Sequence, residues 1–208
     1  MSRAPRSDGV ANREKVLTAA LRTLQRDLAA PMAVVAREAG VGVGTLYRHF
    51  RDREALLVAL QIRSIGMVLA LVDEVLERGV TGIDAVHEFL VGTVRHGTEL
   101  FLPHHGAPVT TDPEYRSLER RVWAGVGRMV ERGVADGSLR PDLTARDVII
   151  FGSLIAVPMP GVGDWPEVAG RQIDLFLTAL RPGQSPAGGR DAHPGEQRVP
   201  ASRTIYSV

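Results

Sequence analysis

The sequence has no cysteine. Disulfides, thiol catalysis and cysteine-ligated metal are therefore excluded, and the chain suits a reducing cytoplasm. Aromatic residues are scarce, at 5%. No uninterrupted apolar run comes near the ~18 residues that a membrane-spanning helix requires. The N-terminal stretch Met1-Ser2-Arg3-Ala4-Pro5-Arg6-Ser7-Asp8 lacks the apolar segment of a secretory signal. Strand-type alternation is also hard to find. What remains is an apolar content of 44% over 208 residues. That supports a real core, in one ordinary domain or in a small head with a larger body.

The net charge of +1 hides an asymmetry. Residues 1–60 carry nine Arg and Lys15 against six acids, a surplus of four, whereas fifteen Arg meet eighteen acids in the rest. A basic head on a mildly acidic body suits a polyanion bound by the head alone, although ordinary surface variation produces similar differences.

Helical spacing runs through the chain. Val16, Leu17, Ala20, Leu21, Leu24 and Leu28 recur at three and four residues and form one apolar stripe. A second stripe, from Leu57 through Leu60, Ile65, Val68, Leu69, Val72 and Val75 to Leu76, predicts a helix over about 54–78 that stops at Gly79. A third helix is expected from about Ile83 to Leu102, ended by Pro103. Asp112-Pro113 offers an N-cap with proline at the first helical position, and Gly137 closes the helix it opens. Thr144 caps a helix through Ala156, and a last one spans about Pro166 to Leu180. The sum is roughly nine helices, an all-α fold whose first three form a compact unit. From about residue 182 the chain turns rich in Pro, Gly and polar residues, a composition that cannot bury enough apolar area to offset its ordering entropy. The expected organisation is a basic flexible arm over 1–11, a compact head over 12–53, a helical body over 54–181 and a disordered tail over 182–208.

The most informative stretch is Met32 to Phe50. A short helix stops at Gly40, which takes a positive φ without a Cβ penalty, and a second begins near Val43. Two helices joined by so tight a turn need a small residue where they cross, and Ala36 lies one turn before Gly40. Val35, Ala39, Val41 and Leu46 fall where the two must share a core. This pattern is a helix-turn-helix signature. Gly40-Val41-Gly42-Val43-Gly44-Thr45 also looks superficially like a phosphate-cradling loop. That motif must follow a strand in a βαβ unit, however, and here a helix precedes it and no lysine follows.

The run Ala39-Gly40-Val41-Gly42-Val43-Gly44-Thr45-Leu46-Tyr47-Arg48-His49-Phe50, followed by Arg53-Glu54-Ala55-Leu56-Leu57, resembles the recognition helix and following helix of the TetR family of transcriptional regulators. Arg13-Glu14-Lys15-Val16-Leu17-Thr18-Ala19-Ala20 resembles that family's first helix, and the resemblance is strong over about 12–60. Downstream it is carried by helix count and by the junction Ala135-Asp136-Gly137-Ser138-Leu139-Arg140-Pro141-Asp142-Leu143-Thr144. The resemblance implies a non-enzymatic DNA-binding regulator, commonly a repressor, with no cofactor. It implies that Val43, Gly44, Thr45 and Arg48 face the groove, and that Arg13, Tyr47, His49 and Arg53 belong to the DNA-contacting set, the last three at phosphates. The alternative for Tyr47 and His49 is packing against the first helix. A guanidinium at Arg48 can read guanine bidentately, whereas phosphate contacts position without specifying. Two positions depart from the family's habit. Gly42 stands where a hydroxyl usually caps the recognition helix, and Met32, after Pro31, stands where a threonine usually touches phosphate. Base readout is correspondingly thin and rests more on Arg48 and the arm residues Arg3 and Arg6.

For the body, the resemblance implies a small-molecule pocket among the middle helices and pairing of two copies through the last two. Phe89, Phe101, Trp123, Val126 and Met129 are the candidate pocket residues, with His104 and His105 at the rim; plain core packing is the alternative for each. An apolar pocket with few polar anchors suits a hydrophobic effector. Val148, Phe151, Leu154, Ile155, Ile173, Phe176, Leu177 and Leu180 are the candidate pairing positions. A two-fold homodimer would set its recognition helices in successive major grooves about 34 Å apart, on a palindromic operator. His104-His105, with His96 and Glu99 near, reads as loop histidines rather than a metal site. No Ser-His-Asp or paired-carboxylate constellation stands out. The competing functional reading is a small-molecule-binding protein that has kept the fold and lost specific DNA recognition.

Overall fold

The computed structural model describes residues 5–103 and 106–183, with side chains from residue 12 onward. The expected tail from residue 184, Arg3 of the arm, His104 and His105 lie outside the described residues, and of Arg6 only the backbone is described. Among the described residues there is no strand. Eight α-helices follow in chain order: α1 Pro5–Arg26, α2 Met32–Glu38, α3 Val43–His49, α4 Arg53–Glu77, α5 Gly82–His96, α6 Pro113–Ala135, α7 Ala145–Ala156 and α8 Trp165–Ala179. A three-residue 3-10 turn, Gly97–Glu99, follows α5.

α1 starts at Pro5, inside the stretch expected as an arm, and ends at Arg26. Leu28 therefore falls outside the helix and is exposed, although the rest of its stripe is buried. Most boundaries follow local chemistry. The Asp52 carboxylate accepts from the Ala55 N–H and starts α4. Asp112 accepts from the Glu114 and Tyr115 N–H groups, with Pro113 at the first position of α6. Thr144 and Asp147 form a reciprocal capping box on α7.

The expected third helix is shorter than its apolar pattern. α5 stops at His96, and Leu100 is extended (φ −88°, ψ 139°). The α-helix gives way to the 3-10 turn at Gly97, which packs so closely on α7 that a Cβ there would sit 1.9 Å from the Ala156 carbonyl oxygen. The chain turns away there, well before Pro103.

Two cores result. The head core joins Val16, Leu17 and Leu24 of α1, Val35 and Ala36 of α2, Leu46 of α3, Phe50, and Leu56 and Leu60 of α4. The body core is built on α5, which touches α4, α6, α7 and α8. α4 belongs to both: Leu56, Ala59 and Leu60 pack in the head, and Ile65, Val68, Leu69, Val72 and Val75 in the body. By length and composition α4 could cross a bilayer, although polar residues interrupt its apolar run. Its apolar side chains are instead shared between two protein cores.

Candidate nucleic-acid interface and ligand cavity

The helix-turn-helix forms as its residues dictate. Gly40 has φ +66°, and the Val41 N–H donates to the Ala36 carbonyl at 3.0 Å, tightening the turn. Ala36, Val35 and Leu46 are buried, and Ala39 and Val41 pack at the edge of the same core. With Leu46 turned inward, α3 presents Val43, Gly44, Tyr47 and Arg48 to solvent, and Thr45 is half-buried. Tyr47 is 48% exposed. Arg48 has no ion-pair partner among the described residues. Gly42 is the N-cap of α3 and, as its composition requires, contributes no side-chain cap.

Three further residues of the expected set are held by the scaffold. His49 is half-buried, its ring tilted 50° to Phe50 at 6.3 Å. The Arg13 guanidinium sits 5.3 Å from the centre of the same buried Phe50 ring, on the side of α1. Arg53 is the furthest from its expected role. Its guanidinium donates to the Ala30 carbonyl at 2.6 Å and to the Leu28 carbonyl, so it pins the start of α4 to the loop between α1 and α2. A phosphate contact from Arg53 would compete with both bonds.

In the body, a cavity of about 80 Å³ lies among five segments. Ile65 and Val68 of α4, Phe89 and Thr93 of α5, and Leu100 and Leu102 of the following connection line it, together with Tyr115, Glu119, Val122 and Trp123 of α6 and Ile149, Gly152 and Ser153 of α7. Phe89 and Trp123 are where the sequence expectation put them. Val126 and Met129 are buried in the body core without lining the cavity. Phe101 belongs to the head core instead. The reason is the extended run after α5: alternation turns Leu100 and Leu102 toward the cavity and Phe101 toward the head, with the Phe101 N–H donating to the Ser64 hydroxyl of α4 at 2.9 Å. Tyr115 and Glu119 were missed, although Tyr115, Glu119 and Trp123 recur every four residues and share one face of α6. Burial, and then the Glu119 carboxylate, push the Tyr115 phenol up to about 12.

The pairing positions divide in two. Val148, Ile155, Ile173, Leu177 and Leu180 are buried within the chain's own core. Leu154 is 74% exposed, Ile150 and Leu175 are also exposed, and Phe151 and Phe176 stack at 4.0 Å. Among the described residues no cluster of three metal-ligating side chains occurs.

A helix-turn-helix head with a solvent-facing second helix is thus carried on a helical body with an internal cavity. Residues 16–60 match the family model described as bacterial regulatory proteins, tetR family. The TetR regulator SCO0520 of Streptomyces coelicolor is 26% identical, with 82% of this chain and 99% of that one covered at a TM-score of 0.59. A TetR regulatory protein of Mycobacterium vanbaalenii is 23% identical, with 85% and 98% covered at a TM-score of 0.61. AibR, solved with isovaleryl coenzyme A and operator DNA, is 14% identical, with 82% and 98% covered at a TM-score of 0.67. No curated protein matches the sequence. Residues 16–60 thus carry a tetR-type DNA-binding domain, and the fold of the described residues is similar to that of TetR regulators along most of their length.

Proposed function

We propose that this protein is a cytoplasmic transcriptional repressor that binds a palindromic operator as a homodimer and leaves it when a small molecule enters the body cavity. The observation that carries this reading is the exposed face of α3, where Val43, Gly44, Tyr47 and Arg48 stand free above a buried Leu46. Arg48 supplies bidentate base readout and Tyr47 a phosphate contact. Pairing through α7 and α8 covers the exposed Ile150, Leu154 and Leu175 beside the partly buried Phe151–Phe176 stack.

Release follows from continuity between cavity and head. Ile65 and Val68 of α4 line the cavity, and the same helix is fixed to the head by Arg53. In the Leu100–Leu102 run, a ligand that displaces the two leucines also moves Phe101 in the head core. Such a ligand acts only through unequal affinity for the two head spacings. AibR, of similar fold, was solved with both isovaleryl coenzyme A and operator DNA, which supports a ligand site and a DNA-binding head on one chain but not release itself.

Fluorescence anisotropy with a duplex from the gene's own upstream region tests the proposal. Salt-sensitive binding that drops at least ~10-fold with Arg48→Ala is expected, since each base or phosphate contact contributes about 1–3 kcal/mol. Equal binding to a random duplex, with the ligand cavity functional, would instead favour a binding protein that has lost DNA recognition.

A further inference from the structure

We infer that the effector is a lipophilic cation, an amine or quaternary ammonium whose apolar body fills the cavity and whose charge rests beside Glu119 and Trp123. The inference builds on the sensor role proposed above and adds the chemical class of ligand.

The cavity wall is mostly aliphatic and aromatic, so its few polar groups decide what can enter. Thr93 donates its hydroxyl proton to the Phe89 carbonyl at 2.8 Å, and Ser153 donates its own to the Ile149 carbonyl at 2.7 Å. Each hydroxyl therefore retains only acceptor capacity. Glu119 is an acceptor, half-buried, and meets no hydrogen-bond or ion-pair partner among the described residues. The Tyr115 phenol, buried at 3% exposure, is the one lining side chain with a strong donor still to place, apart from the Trp123 indole. No arginine, lysine or histidine is among the lining residues.

This balance is negative and rich in acceptors. An anionic effector would face an unpaired carboxylate with no cation to offset it, and only the neutral Tyr115 hydroxyl and Trp123 indole N–H could replace its hydration. A neutral effector would leave Glu119 desolvated and unpaired. A cation meets both needs. Trp123, at 38% the exposed lining residue, lies one turn from Glu119 on α6 and adds a π face beside the carboxylate. The cavity of about 80 Å³ is smaller than a benzene-sized void of ~150 Å³, so a compact apolar group enters and the charged end stays toward the opening.

The test is a charge series of one shape, titrated into the full chain and read by tryptophan fluorescence. Propyltrimethylammonium is the cation, 2,2-dimethylpentane its uncharged isostere and butyrate the anion. The cation is expected to bind at least ~10-fold more tightly than the isostere. Glu119→Gln, with an unchanged circular dichroism spectrum, should remove that preference while leaving the isostere's affinity as it was; Glu119→Asp should retain most of it. Binding of the isostere or the anion as tight as the cation, or a cation affinity indifferent to Glu119→Gln, overturns the ligand class and leaves the sensor cavity standing. No response to any of the three overturns both.

Discussion

Arg53 and Arg48 are separated by five positions and do opposite work. Arg48 stands on the open face of α3, while Arg53 ties α4 to two backbone carbonyls of the preceding loop. A charged donor on carbonyl acceptors contributes roughly 1.5–3 kcal/mol. Arg53→Ala is therefore expected to lower unfolding free energy by about 2 kcal/mol in urea denaturation, and Arg48→Ala to leave it unchanged within ~0.5 kcal/mol. The sequence made Arg48 legible, because its position relative to Gly40 and Leu46 fixes which side of the recognition helix it occupies. Arg53 was not legible in the same way. Its partners are the carbonyls of Leu28 and Ala30, and the fold of that loop, not any motif, decides that a guanidinium reaches them.

At the scale of elements, α5 and α6 meet so closely that Gly82 admits no side chain. A Cβ there would lie 2.0 Å from the Gly133 nitrogen. Backbone cannot yield as a flexible side chain can, so Gly82→Ala should destabilise by about 3 kcal/mol, measured by the same denaturation. The same junction is held by Asp136, whose carboxylate accepts from the Ser138 and Gly82 N–H groups, while Ser138 accepts from Ile83. Bonding to Ser138, and then to the Gly82 backbone, holds the Asp136 carboxyl below its ordinary value. A depressed folded-state value means that the stabilisation is present above the unfolded carboxyl range, near pH 4, and fades as pH falls through the lower folded value. Thermal melting from pH 6 downward should therefore show an acid-dependent loss that Asp136→Asn reduces. Helix starts were largely readable because Asp112 and Thr144 are strong caps. The end of α5 was not, because the apolar pattern continues to Leu102 while the helix gives way to a 3-10 turn at Gly97, packed against Ala156.

For the whole molecule, α4 is the shared member, with one half in the head core and the other against the cavity. The all-helical organisation and the position of the head followed from spacing and from the helix-turn-helix pattern. The cavity wall followed only in part. Phe89 and Trp123 were accessible to order-based reasoning, whereas Phe101 depends on an extended run that helical periodicity disguises. The central claim is that two exposed α3 faces read DNA together. Nuclease footprinting of the gene's upstream region tests it most directly. Two protected half-sites of inverted sequence, centred one helical turn or about 34 Å apart and absent with Arg48→Ala, are the expected result. Protection by the Arg48→Ala protein identical to that by the unsubstituted chain, or no protected half-site at all, would contradict it.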